Sequence, residues 1–300
     1  MSDIYDCLVI GSGPCGITVA VRLKEAGIKC AIVEYSTPGG KINIAPRVDN
    51  LPGYYQIPGP QLAMEFFKKI TDHQIEMIYD QVNELIKEDN TFVLKGNFGT
   101  YKANKVVIAT GTKERKIGLA KEDELLGHGI SYCALCDGHF FKEKDIVVIG
   151  GGDSALKEAI HLAHIGRKLY LVHRRNEFRG NEELVKELKS FDNVEIVTPY
   201  VAKEILGEDK VVGVRLENVN TKEERIINCD GLFPLVGQIP NSQFIKIEGV
   251  LDEKGFVPVN DKYMTSCEGL YAGGDILPRD TRQLYLAIDD ANLIADTIIG

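Results

Sequence analysis

Cys133 and Cys136, in the stretch SYCALCDGHFF (131–141), stand two residues apart in a chain that otherwise scatters its seven cysteines. A pair at this spacing can be half of a metal site, a static disulfide, or a dithiol that makes and breaks its bond. A zinc site commonly takes two such pairs. There is no second C-x-x-C, and His139 alone does not complete a site, so no metal is expected. A static disulfide is seldom kept in a reducing compartment. Asp137, next to Cys136, is a candidate general acid, provided that burial raises its pKa. It serves equally as a turn or N-cap carboxylate. Cys7, Cys15, Cys30, Cys229 and Cys267 read as small buried side chains.

What surrounds the pair favours redox chemistry. YDCLVI (5–10) predicts a strand that runs into Gly11-Ser12-Gly13-Pro14-Cys15-Gly16, a G-x-G-x-x-G. The run ITVAVRLKEA predicts a helix stopped by Gly27, and KCAIV a strand ending at Glu34. The glycines let backbone approach a pyrophosphate, which then meets the free amides at the helix start, and Glu34 stands where a carboxylate accepts from a ribose hydroxyl. The unit is written again. DIVVI leads into Gly150-Gly151-Gly152-Asp153-Ser154-Ala155, SALKEAIHLAHI predicts a helix, and KLYLV a strand. It ends not on an acid but on His173-Arg174-Arg175, with Arg179 following. Guanidinium groups suit a 2′-phosphate. The first unit therefore asks for FAD or NAD(H) and the second for NADPH, although HRRNEFR alone would read as a solvated basic loop. A third glycine cluster, EGLYAGGD (268–275), predicts a strand ending at Gly273-Gly274-Asp275, with a helix from Gln283. It is an element that a large flavin spanning a domain could use.

Three hundred residues at 44% hydrophobic and 26% charged suit two α/β domains. The net charge of -9 argues against nucleic-acid binding. No apolar run approaches a membrane span, and the acidic N-terminus does not read as a signal peptide, so a cytoplasmic protein is expected. Polar crossings near ATGTKERKI and VGQIPNSQ predict that the second unit interrupts the first. The fold class is thus α/β, with two Rossmann-like three-layer domains, one inserted in the other.

GSGPCG, PGG, NLPGY, ATG, CALCDG, GGGDSA, HRRNEFR, PLVGQIPN and AGGDI occur in the order found in low-molecular-weight bacterial thioredoxin reductases, which the chain resembles along essentially its whole length. The resemblance implies a homodimer with FAD held by residues 1–112 and 241–300. Residues 113–240 would bind NADPH and carry the redox disulfide. It implies FAD contacts at the first glycine motif and at Glu34, Tyr35, Gly39, Gly40, Lys41, Asn50, Val82, Ala109, Thr110, Gly111, Gly274, Asp275, Arg282 and Gln283. Nucleotide contacts fall at Gly150, Gly152, Asp153, Ser154, Ala155, His173, Arg174, Arg175 and Arg179. It implies that Cys136 faces the flavin, that Cys133 attacks the thioredoxin disulfide, and that Asp137 gives the proton. It also implies an alternation between two domain orientations. Phe140 and Phe141 read equally as a thioredoxin-docking surface and as core. The chain departs from the pattern at Lys41, usually Gln, at His139, usually aromatic, and at LYLAIDDAN (284–292), usually small residues. Three rival readings remain: a relative fed by ferredoxin, a flavin oxidoreductase of the ferredoxin–NADP reductase type, and a flavoprotein redox sensor. The first would lack the nucleotide motifs, the second needs no C-x-x-C, and the third would not turn over a disulfide.

Overall fold

Strands with no polar alternation need cover on both faces. The opening strand, β1 (Ile4–Ile10), shows how this is met: Cys7 and Val9 point to one core and Leu8 and Ile10 to another. The computed structural model describes residues 4–45 and 47–300. After β1 come α1 (Pro14–Glu25), β2 (Cys30–Glu34), α2 (Gly59–Asp72), β3 (Glu76–Tyr79), β4 (Val82–Glu88), β5 (Thr91–Gly96), β6 (Thr100–Ile108) and the short β7 (Thr112–Glu114). Next follow α3 (Ala134–Asp137), β8 (Asp145–Gly150), α4 (Asp153–Ala163), β9 (Lys168–Val172), α5 (Glu182–Lys189) and β10 (Val194–Val197). Then β11 (Tyr200–Leu206), β12 (Gly213–Asn218), β13 (Glu224–Asn228), β14 (Gly231–Leu235) and β15 (Gln238–Pro240) lead to β16 (Leu270–Ala272) and α6 (Leu284–Ile299).

Two units result, one formed by the chain up to Lys113 and from Ile239 onward, the other by Glu114–Gln238. In the first, the sheet order is β3-β2-β1-β6-β5-β4. The β3-β2-β1-β6 part is parallel and β5 and β4 are antiparallel. The late strand β16 pairs in parallel with the second half of β6, Leu270 opposite Val106. One face packs on α1, α2 and α6 through Ile17, Leu23, Phe66 and Ile294, and the other carries Leu85, Phe92 and Val257. In the second unit, β10-β9-β8-β14 form a parallel sheet and β11-β12-β13 an antiparallel one. Both strand–helix–strand units predicted from sequence are present, so the fold class holds. Four of the five other cysteines are buried. Cys267 is the exception: it sits half-exposed in the turn that leads into β16, where its amide donates to Thr265 Oγ1 at 3.1 Å and its thiol reaches the Glu268 carbonyl at 3.9 Å.

One polar anchor holds the antiparallel edge of the first unit. Asp80, 2% exposed, accepts the amides of Asn97 (2.8 Å), Phe98 (3.1 Å) and Gly99 (3.2 Å) and the hydroxyl of Tyr101 (2.9 Å), closing the β5–β6 turn. Burial works against its charge, but the bonds from Tyr101, Phe98 and Asn97 outweigh burial and hold the carboxyl below its usual range. A depressed carboxyl stabilises the fold above the unfolded-state pKa and loses that contribution as pH falls through the folded value. Asp80→Asn is therefore expected to lose about 1.5–3 kcal/mol in urea unfolding at neutral pH. The gap to wild type should narrow below about pH 4; a gap independent of pH would contradict the charged role.

Candidate active site

The first glycine motif makes an open cradle. Gly11 has φ +100°, and a Cβ there would come within 2.5 Å of the Ala109 carbonyl, so only glycine fits between β1 and the 109–111 turn. A Cβ built on Gly13 meets nothing within 4 Å, and Gly13 starts α1 with no side-chain cap. The helix amides face open space, the arrangement that receives phosphate. Glu34 closes one side: Oε2 accepts the Ser12 amide (2.8 Å) and hydroxyl (2.7 Å), and Oε1 accepts the Tyr35 and Ser36 amides. Gly39 donates its amide to the Ser12 carbonyl, and a Cβ on Gly40 would lie 3.4 Å from Gly13, which brings PGG to the same loop. Cys15 packs beneath Gly273 and Gly274, and burial pushes its thiol pKa up. Val82 is buried at the head of β4, and the Tyr35 side chain is exposed.

Several of the other predicted residues meet in pairs. Lys41 Nζ donates to Thr112 Oγ1 (2.8 Å) and lies 3.3 Å from Asp275 Oδ2, so its charge is matched by a carboxylate. Asn50 Nδ2 donates to Gln283 Oε1 at 2.7 Å. Arg282 donates to the carbonyls of Asp275 and Leu277. Thr110 and Gly111 are tied to Asn241, which accepts through its own carbonyl at 2.7 Å and donates its amide to Gly111 at 3.0 Å.

The second glycine motif repeats the cradle in the second unit. Gly152 starts α4 with no side-chain cap and open space beside it. Ala155 packs under Gly150, where a Cβ would come within 2.6 Å, so the G-x-G-x-x-A ending is a packing match. Ser154 is exposed in the first turn. Asp153 is occupied: its Oδ1 accepts the Asn181 amide at 2.7 Å. His173 is 7% exposed and stacks on Phe178 at 5.0 Å. Its Nε2 is buried with no hydrogen-bond partner among the described residues. Burial, then the charges of Arg174, Arg179 and Arg175, hold its pKa below the usual value. The three arginines are exposed.

The cysteines are joined as a disulfide with Cα atoms 5.3 Å apart. Cys133 precedes α3 as its cap, and its Sγ accepts the Cys136 amide at 3.2 Å. That bond favours negative charge on Cys133 rather than on Cys136. Asp137 precedes the turn Gly138–Phe141 without a side-chain cap bond to it. Instead Ser131 Oγ donates to its Oδ2 at 2.6 Å and accepts the Cys133 amide at 3.1 Å. Tyr132 donates to Glu122, itself 2% exposed and holding the amides of Ile117 and Gly118. From α4, Glu158 Oε2 accepts the Ala134 amide at 2.7 Å. The two phenylalanines part company: Phe141 is core, edge-on to Phe233 at 5.1 Å, while Phe140 is 36% exposed beside His139.

Residues 5–291 match the model of the pyridine nucleotide-disulphide oxidoreductases. Over 298 residues the chain is 38% identical to the thioredoxin reductase of Bacillus subtilis strain 168, covering 98% of this chain and 94% of that one. The chain belongs to the thioredoxin reductase family. The crystal structure of thioredoxin reductase from Streptococcus pyogenes MGAS5005 superposes with a TM-score of 0.93 at 36% identity, covering 99% of this chain and 98% of that one. A ferredoxin-flavin thioredoxin reductase from Clostridium acetobutylicum matches at TM-score 0.54 and 29% identity, covering 100% and 98%. Thioredoxin reductases of this family use FAD and NADPH. The residues here fit two dinucleotides, because both helix starts are uncapped and open and His173 leaves a buried nitrogen unpartnered.

Four polar residues that organise these thioredoxin reductase elements were not singled out from sequence. Ser131, Glu122 and Glu158 shape the cysteine turn. Asp290 on α6, 2% exposed, accepts the Gly274 amide (2.8 Å), the Tyr263 hydroxyl (2.8 Å) and the Arg279 guanidinium (2.7 Å). Burial and this bond push the Tyr263 hydroxyl up to about 12. A signal existed for two of them. Glu158 falls three residues after Ala155 and four before Leu162, at the border of the buried stripe of its helix, and Asp290 falls three after Ala287 and four before Ile294, on the buried stripe of α6.

Proposed function

We propose that this chain is an NADPH-dependent thioredoxin-disulfide reductase. In this reading residues 1–112 and 241–300 hold FAD, and residues 113–240 hold NADPH and carry the active disulfide. The observation that carries it is the Cys133–Cys136 disulfide standing against the helix of a second nucleotide cradle, whose strand ends in three arginines. When bound, the two cofactors supply a two-electron path to sulfur. The protein's residues do the rest. Gly11 to Gly16 seat one pyrophosphate on α1, with Glu34, Lys41, Asp275, Arg282 and Gln283 around that cofactor. Gly150 to Ala155 seat the other on α4, and His173, Arg174, Arg175 and Arg179 take the 2′-phosphate. Cys136 faces the flavin. Once the pair is reduced, the Cys133 thiolate, favoured by the Cys136 amide, attacks one sulfur of the substrate disulfide and forms a mixed disulfide. Cys136 then attacks Cys133, re-forming the internal bond and releasing the second substrate thiol. Asp137, steered by Ser131, gives a proton to a departing thiolate.

Exposed Leu135, between the two cysteines in sequence, and exposed Phe140, after them, give an apolar contact for thioredoxin. Among the described residues no helix is long and apolar enough to cross a membrane. Family resemblance supports a homodimer, and four buried free thiols suit the reducing cytoplasm.

The deciding experiment is anaerobic. NADPH is added to the yellow protein, then oxidised thioredoxin. Bleaching followed by return of the flavin band is expected. Bleaching without return would move the search to another acceptor. Bleaching only with reduced ferredoxin would overturn the NADPH assignment. A companion variant, Arg174→Ala, should weaken NADPH binding by about 1.5–3 kcal/mol while leaving NADH binding unchanged. Equal losses for both nucleotides would remove Arg174 from the phosphate site.

A further inference from the structure

Glu158 is a half-buried carboxylate on α4 that reaches the backbone between the two cysteines. Its Oε2 takes the Ala134 amide at 2.7 Å, while Cys133 Sγ takes the Cys136 amide at 3.2 Å. Two side-chain acceptors thus take the Ala134 and Cys136 amides of one turn, and when both are ionised they carry like charge. Like charges sharing a site disfavour each other's ionised form. Burial raises the Glu158 carboxyl to about 7, with the Ala134 amide opposing and Glu114 adding to the rise. Three further ionisable groups stand close by. Asp137 is tied to Ser131 at the end of the same turn. His161 on α4, against Gly138, is held below its usual pKa by burial and by His164. Lys157 precedes Glu158 on the exposed side of α4.

We propose that Glu158 is a positioning residue of the disulfide centre, anchoring the Ala134 amide and setting by its charge how readily Cys133 becomes a thiolate. This rests on reading Cys133–Cys136 as the active pair.

The test is the pH profile of alkylation of Cys133 by iodoacetamide in the dithiothreitol-reduced holoprotein, with the label located by tandem mass spectrometry. The rate follows the thiolate fraction. Glu158→Gln keeps an acceptor for Ala134 and removes the charge. It is expected to label about three- to tenfold faster at pH 7 and to lose the part of the profile that belongs to a neutral-range neighbour. A Glu158→Gln profile that superimposes on wild type, with only Glu158→Ala altered, would reduce Glu158 to a structural contact and overturn the proposal. If Glu158→Ala does not fold, the Gln variant decides alone. Failure of the underlying reading is distinguishable, because it appears as a wild-type disulfide that NADPH does not reduce, whatever the alkylation profiles show.

Discussion

Cys136→Ser is expected to abolish thioredoxin reduction, lowering turnover on the order of 10⁴-fold or more, while NADPH still bleaches the flavin. The reason is chemical rather than structural. Serine fills nearly the same volume next to Asp137, and its amide still reaches Cys133 Sγ, so the turn keeps its shape. What disappears is the sulfur that closes the internal bond, and with it any way for two electrons to leave as a disulfide exchange. Stopped-flow flavin absorbance and a thioredoxin turnover assay on the same sample separate the two halves. Retained turnover in Cys136→Ser would remove the pair from the electron path. Loss of NADPH bleaching in that variant would mean that the substitution had damaged more than the disulfide.

The second large effect is expected at Asp290→Ala, about 3 kcal/mol of stability together with weakened FAD retention. Asp290 is nearly fully buried, and its two oxygens hold Arg279, Tyr263 and the Gly274 amide. Truncation leaves three donors without their acceptor. Arg279, whose side chain is 22% exposed, can turn partly to water, which sets the figure at the lower end for a broken buried pair. The Gly273–Asp275 turn loses its tether to α6 at the same time. Urea unfolding and flavin retention on gel filtration report the two effects. Asp290→Asn, which keeps an oxygen for Gly274, should recover much of the flavin retention but less of the stability. An unchanged midpoint in the alanine variant would show that the cluster contributes nothing net.

What could be read in the residues follows from their physics. β8 and β9 are short unbroken apolar runs, legible because strands buried on both faces carry no polar alternation. The helix α1 begins at Pro14, earlier than the apolar run suggests, since a proline at the first position starts a helix while reading as loop. The antiparallel strands β11 to β13 left no comparable mark: they mix buried Ile205, Val214 and Leu216 with charged Lys203, Glu204 and Arg215. Cys133 and Cys136 announced themselves by spacing. Glu158 and Asp290 showed in the sequence only as acids at core-facing helix positions, and what each one holds had to come from the packing. Phe140 and Phe141 were adjacent and equivalent on paper until the turn rotated one into the core.

The late pairing of β16 with β6 orders events on the ribosome. The chain delivers β1 to β6 first, yet one side of the second half of β6 stays unpaired until Leu270–Ala272 is made. The intervening unit, residues 114–238, is continuous and has all its strands by then. The inserted unit can therefore finish folding while its host waits, and domains fold as units as they emerge. A pause in translation anywhere between β15 and β16 would leave a complete nucleotide cradle and disulfide attached to an open sheet edge, the nascent form most in need of a chaperone.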